Sequence, residues 1–421
     1  MAAFVPGRAR AHGAAMEMDN PVMGAASLAV SFGARRKLLF LFRWLALVMG
    51  LASVAAALPV VALSFGCDGA AKLLLRIRPL RAACKFFSGA YGRVIERLGQ
   101  KVLRDPRDTP ALRLMISLTF TAVPIFAIQL ALGKPRLLLV LAFYLSLYGR
   151  KFQQFVRMFS ASHLEAHSRH GFFSEKYGKV FGRYLEFFLG YLYGNAPELG
   201  RTAHVRLHHK ENSGPDDTRN NMGCDRTSRI DFLWYLSDNI WTVLGLAPYA
   251  YFKAKGDEKN RRRMFWGMAR YYAYFTAIFV YNWRIGILFV LVPLLCMNFI
   301  NAITAWVQHA FCDPDNPLDY FANTVTVMDE VNFLNEGYHL CHHHRASLHW
   351  TEMPAHFERI RDKMRNAGSL VFRDLDFIGL FLELTLFHRM DVLAEKLVPW
   401  EPMNHDQKLT LLVKRTGLRS V

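Results

Sequence analysis

Residues 111–148 read ALRLMISLTFTAVPIFAIQLAL, then GKPR, then LLLVLAFYLSLY, and this stretch decides the fold. The first run, 111–132, is long enough to cross a bilayer, because a spanning helix needs about 20 mainly apolar residues. Residues 133–136 predict a tight turn, and Leu137 begins a return helix that we expect to continue through Phe159. The stretch therefore predicts a transmembrane helical hairpin.

Two further apolar regions predict more membrane helices. Residues 264–283 and 285–310 form a second hairpin around Arg284. Residues 38–65 form a first transmembrane helix, whose single charge, Arg43, is close enough to one end to reach the interface. The run is too long for the core of a signal peptide. The composition agrees, since 52% of the chain is hydrophobic and bunched into long runs.

Residues 231–252 are also apolar, but they include Asp238 and Pro248. A charge within the stretch favours a helix in the membrane interface over one that crosses the bilayer. Together the patterns predict an all-α integral membrane protein. It would have two transmembrane hairpins, an extra N-terminal transmembrane helix and a cytosolic helical cap.

The chain has a net charge of +18, and the distribution of its basic residues predicts the topology. Nucleic-acid binding explains this charge poorly, because the basic residues flank apolar segments as they do in membrane proteins. The two hairpin turns contain only Lys134, Arg136 and Arg284. The positive-inside rule therefore places the remaining basic segments in the cytoplasm: residues 66–110, 149–263 and 311–421.

Residues 66–110 are themselves strongly basic, with ten Lys/Arg against four Asp/Glu. Arg76, Arg78, Arg81 and Lys85 alternate with apolar residues. Two interpretations stand equally. The segment is either a basic surface helix on anionic lipid or a solvated linker.

The cysteines give no site. None makes a CxxC pair, which argues against a zinc site or a redox dithiol, and a disulfide framework is not expected at this length. They are Cys67, Cys84, Cys224, Cys296, Cys312 and Cys341.

The sixteen histidines fall mostly into tight clusters. The first is His163-Leu-Glu-Ala-His167 and the second is His204-Val-Arg-Leu-His208-His209. On an α-helix the i, i+4 spacing places both members of each HxxxH pair on one face. His209 would then lie about a third of a turn round.

The third cluster is His339-Leu-Cys-His342-His343. Its i, i+3, i+4 spacing predicts three imidazoles along one helical stripe, with the following His344 pointing elsewhere. A single histidine, His309, ends the last predicted membrane helix.

Imidazole nitrogens are strong ligands for iron, zinc and copper, so these clusters predict a metal site. One HxxxH pair alone is more often a surface feature than a ligand set, and histidine-rich transport loops tend to be low-complexity tracts. Here three clusters stand in non-repetitive sequence on one predicted side of the membrane. This favours helices that hold several ligands rigidly against one another.

The order HxxxH, HxxxHH, second hairpin and HxxHH resembles the membrane fatty-acid desaturase superfamily, the histidine-box di-iron family, over about residues 110–360. The resemblance implies two iron ions held by nine histidines at the cytosolic ends of four membrane helices. It assigns His309 where spacing alone does not, and it assigns no separate catalytic acid or base. Carried onto this chain, the ligands are His163, His167, His204, His208, His209, His309, His339, His342 and His343.

The resemblance further implies an oxidoreductase that uses O₂ to introduce a double bond into a fatty acyl or sphingoid chain. The second box departs from the HxxHH of most acyl desaturases and is similar to that of the alkane-hydroxylase branch. Hydroxylation or ketolation of a lipid, alkane or carotenoid is therefore the alternative. No HPGG haem motif occurs, so a separate cytochrome b5 or ferredoxin would deliver electrons. A distant alternative is a non-catalytic membrane protein that binds or transports zinc.

These inferences divide the chain into four parts. Residues 1–34 are expected to be a disordered N-terminus and 35–110 an N-terminal transmembrane helix with a basic surface segment. Residues 111–360 are the desaturase-like catalytic domain, and 361–421 are a C-terminal cytosolic extension. The expected location is the endoplasmic reticulum membrane with cytosolic histidines, and a plastid membrane is the alternative because the N-terminus is basic.

Several neighbouring residues have open assignments. His170 offers an HxxH alternative within the first cluster, whereas His349 and His356 are expected in surface or structural roles. Asp216 and Asp217 predict a solvated turn. Three residues are as compatible with orienting imidazoles as with ordinary surface positions: Glu165, Asn335 and Glu336.

Overall fold

The computed structural model describes residues 32–417 except 317, 330 and 331, with side chains described from residue 40 onward. Of the segment predicted to be disordered, residues 1–31 lie outside the described residues. The described residues are mainly helical and include long apolar helices, which confirms the prediction of an all-α membrane protein.

The long helices occupy the part of the chain before residue 309. In chain order the helices there are α1 (Phe32–Leu74), α2 (Arg78–Val102), α3 (Thr109–Ala131), α4 (Leu137–Tyr148), α5 (Gln153–Ala166), α6 (Glu175–Phe181), α7 (Tyr184–Phe187), α8 (His209–Glu211), α9 (Arg229–Val243), α10 (Leu246–Ala254), α11 (Glu258–Tyr281) and α12 (Trp283–Gln308). Gly200–His208, directly before α8, is π-helical, and so is Ile287–Leu291 within α12.

Shorter elements follow. They are α13 (Tyr320–Asn323), β1 (Thr326–Met328), α14 (His339–His344), α15 (Met353–Arg359), α16 (Arg361–Asn366), β2 (Val371–Arg373), α17 (Phe377–Leu386), α18 (Met390–Lys396) and α19 (His405–Arg415). The two strands pair in parallel with Val327 opposite Phe372. This small sheet, which the sequence did not predict, ties the segment before the third histidine cluster to the C-terminal helices.

Three described helices are long and apolar enough to cross a membrane: Phe40–Leu74, Pro106–Ala131 and Trp283–Gln308. They contain most of the three runs predicted to span. The other arms of the two hairpins are present as α4 and α11. α4 has only 12 residues and so extends about 18 Å, and α11 is not among the candidate spans. The crossing of the membrane by these two arms therefore stays a prediction.

The two hairpin turns lie together at one end of the helices. Asn282, between α11 and α12, donates from Nδ2 to Gly133 O at 2.8 Å. Tyr281 Oη donates to Leu130 O at 2.6 Å. Both turns therefore lie at the same end of the helix bundle, which the predicted topology requires.

Residues 137–159, expected to lie on one helix, lie instead on two, α4 and α5. The break falls at Gly149, where φ is +66°. Beyond it, Arg150 forms an ion pair with Asp68 of α1 at 2.6 Å. A glycine tolerates the positive φ that this break requires, and the ion pair secures it against α1. The first histidine cluster therefore sits on a separate helix from the membrane arm.

Residues 231–252 also form two helices rather than one. The break is at Gly245, where φ is +82° and an added Cβ would lie 2.7 Å from Met264 Cε. The first of the two, α9, packs against α1 and α12, and Asn239 Nδ2 donates to Asn298 Oδ1 at 2.9 Å. The interfacial location expected for this stretch stays a prediction.

Candidate metal centre

The first histidine cluster lies at the C-terminal end of α5. His163 is within the helix and His167 caps it. His163 Nε2 lies 2.8 Å from His342 Nε2, and His167 Nε2 lies 3.2 Å from His204 Nε2. The first cluster therefore contacts both of the others.

The second cluster is π-helical, and this changes which of its histidines meet. A π-helix bonds residue i to i+5, so His204 aligns with His209 and their Nε2 atoms are 3.0 Å apart. The ring of His208 also lies against those of His309 and His343, with centroids 5.2 and 5.0 Å away. The rings of His204 and His208 stay close, with centroids 5.5 Å apart, as the i, i+4 spacing predicts. The wider π-helical turn brings His209 to the same side of the helix as well.

The third cluster forms the short helix α14. His339 and His343 meet with their Nε2 atoms 3.1 Å apart. His342 Nε2 lies 3.0 Å from His209 Nε2 instead. The three rings lie together on one side of the helix, with centroids 4.6 to 6.2 Å apart, as the spacing predicts, but their Nε2 atoms meet different partners.

All nine histidines predicted as ligands come together in two groups, within each of which one nitrogen per ring lies within 4.8 Å of the others. The five-histidine group is His163, His167, His204, His209 and His342. The four-histidine group is His208, His309, His339 and His343. The groups are adjacent, because the stacked rings of His209 and His343 have centroids 4.5 Å apart.

The spacing of the nitrogens fits a shared metal ion. Four Nε2–Nε2 contacts in the five-histidine group measure 2.8 to 3.2 Å. Two nitrogens bound at right angles to one ion, each at about 2.1 Å, would be about 3.0 Å apart. Imidazole sets of this kind suit iron, zinc or copper.

Two carboxylates orient rings from outside the groups. His163 Nδ1 lies 2.7 Å from Glu336 Oε1, and His208 Nδ1 lies 2.7 Å from Asp217 Oδ2. A neutral ring that donates its Nδ1 proton keeps the Nε2 lone pair for a metal. Burial alone would raise the pKa of Asp217, but His208 and two backbone N–H groups lower it to about 2, so this acceptor stays ionised.

Two asparagines orient further rings of the four-histidine group. Asn212 Oδ1 accepts from His343 Nδ1 at 2.9 Å, and the backbone carbonyl of Asn323 accepts from His309 Nδ1 at 3.2 Å. His309 Nε2 is buried and finds no hydrogen-bond partner in the described part of the chain. A buried nitrogen without a partner costs free energy, and a metal ion would satisfy it.

Burial keeps several of the rings neutral. Burial first, then repulsion from neighbouring imidazoles, places the pKa well below its ordinary value for His204, His339, His342 and His343. The same causes lower the pKa of His167 to about 3. Neutral imidazole is the form that binds metals.

Glu165 is neither at the surface nor bonded to an imidazole. Its buried carboxyl group accepts hydrogen bonds from the backbone N–H groups of Leu185 at 3.1 Å and Glu186 at 2.9 Å. Burial raises the pKa of Glu165 to about 8. Its contacts hold α7 against α5, whereas Glu336 is the acid that orients a ring.

The remaining histidines of the described part of the chain lie outside both groups. His344 Nδ1 is 2.8 Å from His356 Nε2, so His344 points away as expected. His349 Nε2 donates to Asp108 Oδ1 at 3.1 Å, a structural contact. His170 belongs to neither group, so the geometry gives no support to the HxxH alternative. Asn335 Nδ2 donates to the carbonyl of Trp350 at 2.8 Å.

Sequence reasoning missed Asp217. The turn is present, and Asp216 is half exposed and pairs with Lys255 at 2.7 Å. Asp217, however, is buried, so its assignment to a solvated position is wrong. Nothing in the local sequence distinguishes the two acids, because only the folding of this turn back onto the π-helix buries one of them.

Helices able to span a bilayer and two adjacent histidine groups suited to metal ions define the class, a helical membrane protein with a paired histidine centre. The chain belongs to the fatty acid desaturase family, whose model matches residues 135–374. The match contains all nine histidines and leaves α1, α2 and α3 outside. No curated protein and no solved structure matches the chain. Family membership supports a lipid-modifying oxidoreductase of the desaturase or hydroxylase type.

Proposed function

We propose that the chain is a membrane-bound, O₂-dependent desaturase that introduces a double bond into a fatty acyl or sphingoid chain, with one iron ion in each histidine group. The strongest support is the division of nine histidines into adjacent groups of five and four. Membership of the desaturase family supports a lipid substrate and the use of O₂.

Two iron ions bound there would supply the redox chemistry by which O₂ oxidises an unactivated methylene pair. In the overall balance, the pair loses two hydrogens to become an alkene, and O₂ with two electrons and two protons completes two waters. The chain's own residues hold and orient the centre. The carboxylates of Glu336 and Asp217 accept hydrogen bonds from the Nδ1–H groups of His163 and His208, so the Nε2 atoms of these rings face the centre. Burial of the rings limits the access of water.

Hydroxylation or ketolation of a lipid, alkane or carotenoid is the second candidate. The HxxxHH spacing favours it, because this spacing resembles that of the hydroxylase branch, and here it is accommodated by the π-helix. A non-catalytic protein that binds or transports zinc is a distant third. It would contain zinc and show no dependence on O₂.

Location and electron supply complete the proposal. We place the protein in the endoplasmic reticulum membrane with the histidine groups in the cytosol, and a plastid membrane is the alternative. A separate cytochrome b5 or ferredoxin would supply electrons. In protein with Cys84→Ser, reagents that do not cross membranes, applied to sealed microsomes, should modify a cysteine introduced at exposed Asp216 and spare one at Lys134.

The test is lipid analysis by gas chromatography and mass spectrometry in yeast that express the wild type, His342→Ala or His170→Ala. A new unsaturated species should appear with the wild type and with His170→Ala, which keeps both groups intact, and vanish with His342→Ala. A hydroxylated species instead would establish the second candidate. Purified protein that contains zinc and no iron would overturn both oxidase hypotheses.

A further inference from the structure

The 25-residue helix α2 lies outside the family match and has three distinct faces. The first is a buried face of Gly92, Ile95 and Gly99. An added Cβ at Gly99 would lie 2.7 Å from Thr109 Oγ1 at the start of α3. This close approach, which only glycine permits, fixes the rotation of α2 about its axis.

The second face is an exposed apolar stripe. Its most exposed members are Phe87 at 68% and Val94 at 60%. At 100° per residue the stripe covers only about 60° of the helix circumference. Its residues are Leu80, Phe87, Tyr91, Val94 and Leu98. Because the rotation of α2 is fixed, the whole stripe faces outward together.

The third face is basic. The helix carries six Lys/Arg and one acid, Glu96. Arg78, Lys85 and Arg93 lie opposite the stripe, whereas Arg97 and Lys101 lie beside it. One exposed apolar residue, Phe86, lies between Arg93 and Arg97 on this face. Long basic side chains beside an apolar stripe reach the level of lipid headgroups while their stems stay in the apolar layer.

Both ends of α2 are tied to membrane helices. The first candidate span ends at Leu74 and the second begins at Pro106. A segment between two consecutive spans stays on one side of the bilayer. α2, about 37 Å long, therefore runs between two points at the same membrane surface.

We propose that the stripe of α2 lies in the headgroup–acyl boundary of an anionic lipid leaflet. A bilayer fits better than a protein partner, because the helix joins two membrane spans directly and its excess positive charge complements acidic headgroups. In-plane helices of this type sink about 5–10 Å into the boundary. The surface-helix interpretation of residues 66–110 is thereby preferred over the solvated linker.

The test uses the full-length protein with Cys84→Ser, because Cys84 is the exposed cysteine among the six. Spin labels are placed at Phe87→Cys and Val94→Cys on the stripe and at Lys85→Cys and Arg93→Cys as matched controls on the same helix. The protein is reconstituted in nanodiscs of phosphatidylserine and phosphatidylcholine. Power saturation then compares collisions with O₂, which concentrates in lipid, and with a water-soluble nickel chelate.

The ratio of O₂ to nickel collisions should be several-fold higher on the stripe than at the controls, and it should fall in pure phosphatidylcholine. Water-like ratios at all four positions would overturn the proposal in favour of the solvated linker. Stripe labels shielded from both reagents would overturn it in favour of a protein partner. Equal ratios in the two lipid mixtures would overturn the requirement for anionic lipid.

Discussion

The two histidine groups are oriented in different ways. In the four-histidine group three of the four rings bond through Nδ1 to partners outside the group, namely Asp217, Asn212 and Asn323. In the five-histidine group the described contacts give one such partner, Glu336. Its rings are held mainly by mutual contact, with Nε2 atoms 2.8 to 3.2 Å apart. We therefore expect the smaller group to depend more on residues that are not ligands.

The largest effect should come from removing one ring of either group. His342→Ala and His343→Ala each delete an imidazole from a different group, and each should reduce product below detection, because the proposed chemistry needs two ions. Lipid analysis in expressing cells checks this. Retention of product by only one of the two variants would show that the groups are not equally required.

The next effect separates the two carboxylates. Asp217→Ala should reduce iron content and product formation by roughly 10- to 100-fold, the usual cost of losing a partner of a ligating histidine. Glu336→Ala should cost less, because the five-histidine group keeps its remaining contacts. Asp216→Ala is the matched control and should leave both quantities unchanged. Iron in the purified variants is measured by mass spectrometry, and a larger loss for Glu336→Ala would contradict the comparison.

A smaller effect is expected at Asn212, which has a closely matched control. Asn212 and Asn335 both have positive φ, +47° and +54°, but only Asn212 bonds a histidine of the groups. Substitution by Ala strains both backbones alike. Iron content should fall by about 10-fold in Asn212→Ala and change little in Asn335→Ala. Equal losses in the two variants would indicate backbone strain alone.

The smallest effect should come from a contact that lies outside both histidine groups. Arg107 pairs with Asp105 at 2.6 Å and donates to Thr351 at 2.8 Å, which joins the loop before α3 to the segment after α14. The Arg107 guanidinium lowers the pKa of Asp105 to about 2. Arg107→Gln should lower the thermal unfolding temperature slightly, with iron content unchanged.

The pH dependence of that contact has a definite sign. Because the folded pKa of Asp105 lies below its ordinary value of 3.8, the contact stabilises the fold above that value and is lost as pH falls through about 2. The difference in thermal unfolding temperature between wild type and Arg107→Gln should therefore be constant between about pH 5 and pH 8. Thermal unfolding of the detergent-solubilised proteins at several pH values measures this difference. A difference that widened as pH fell would contradict the prediction.

The sequence predicted which histidines come together better than how they are arranged. Helical spacing picked out eight of the nine histidines, and the family resemblance added His309. Helical spacing did not predict the contact between His204 and His209, because a π-helical turn cannot be recognised from HxxxHH. The sequence also did not predict the burial of Asp217, since that burial depends on a turn folding back onto the π-helix.

By itself the sequence determined that this is an α-helical membrane protein with clustered imidazoles, because the lengths of apolar runs and the spacing of histidines are properties of the chain. It also contained the apolar stripe of α2. Only the tertiary structure decided that nine rings from separate segments divide five and four, and which acid lies behind His208. Those outcomes depend on contacts between residues far apart in the chain, whose geometry is set by breaks such as Gly149 and by the packing of neighbouring helices.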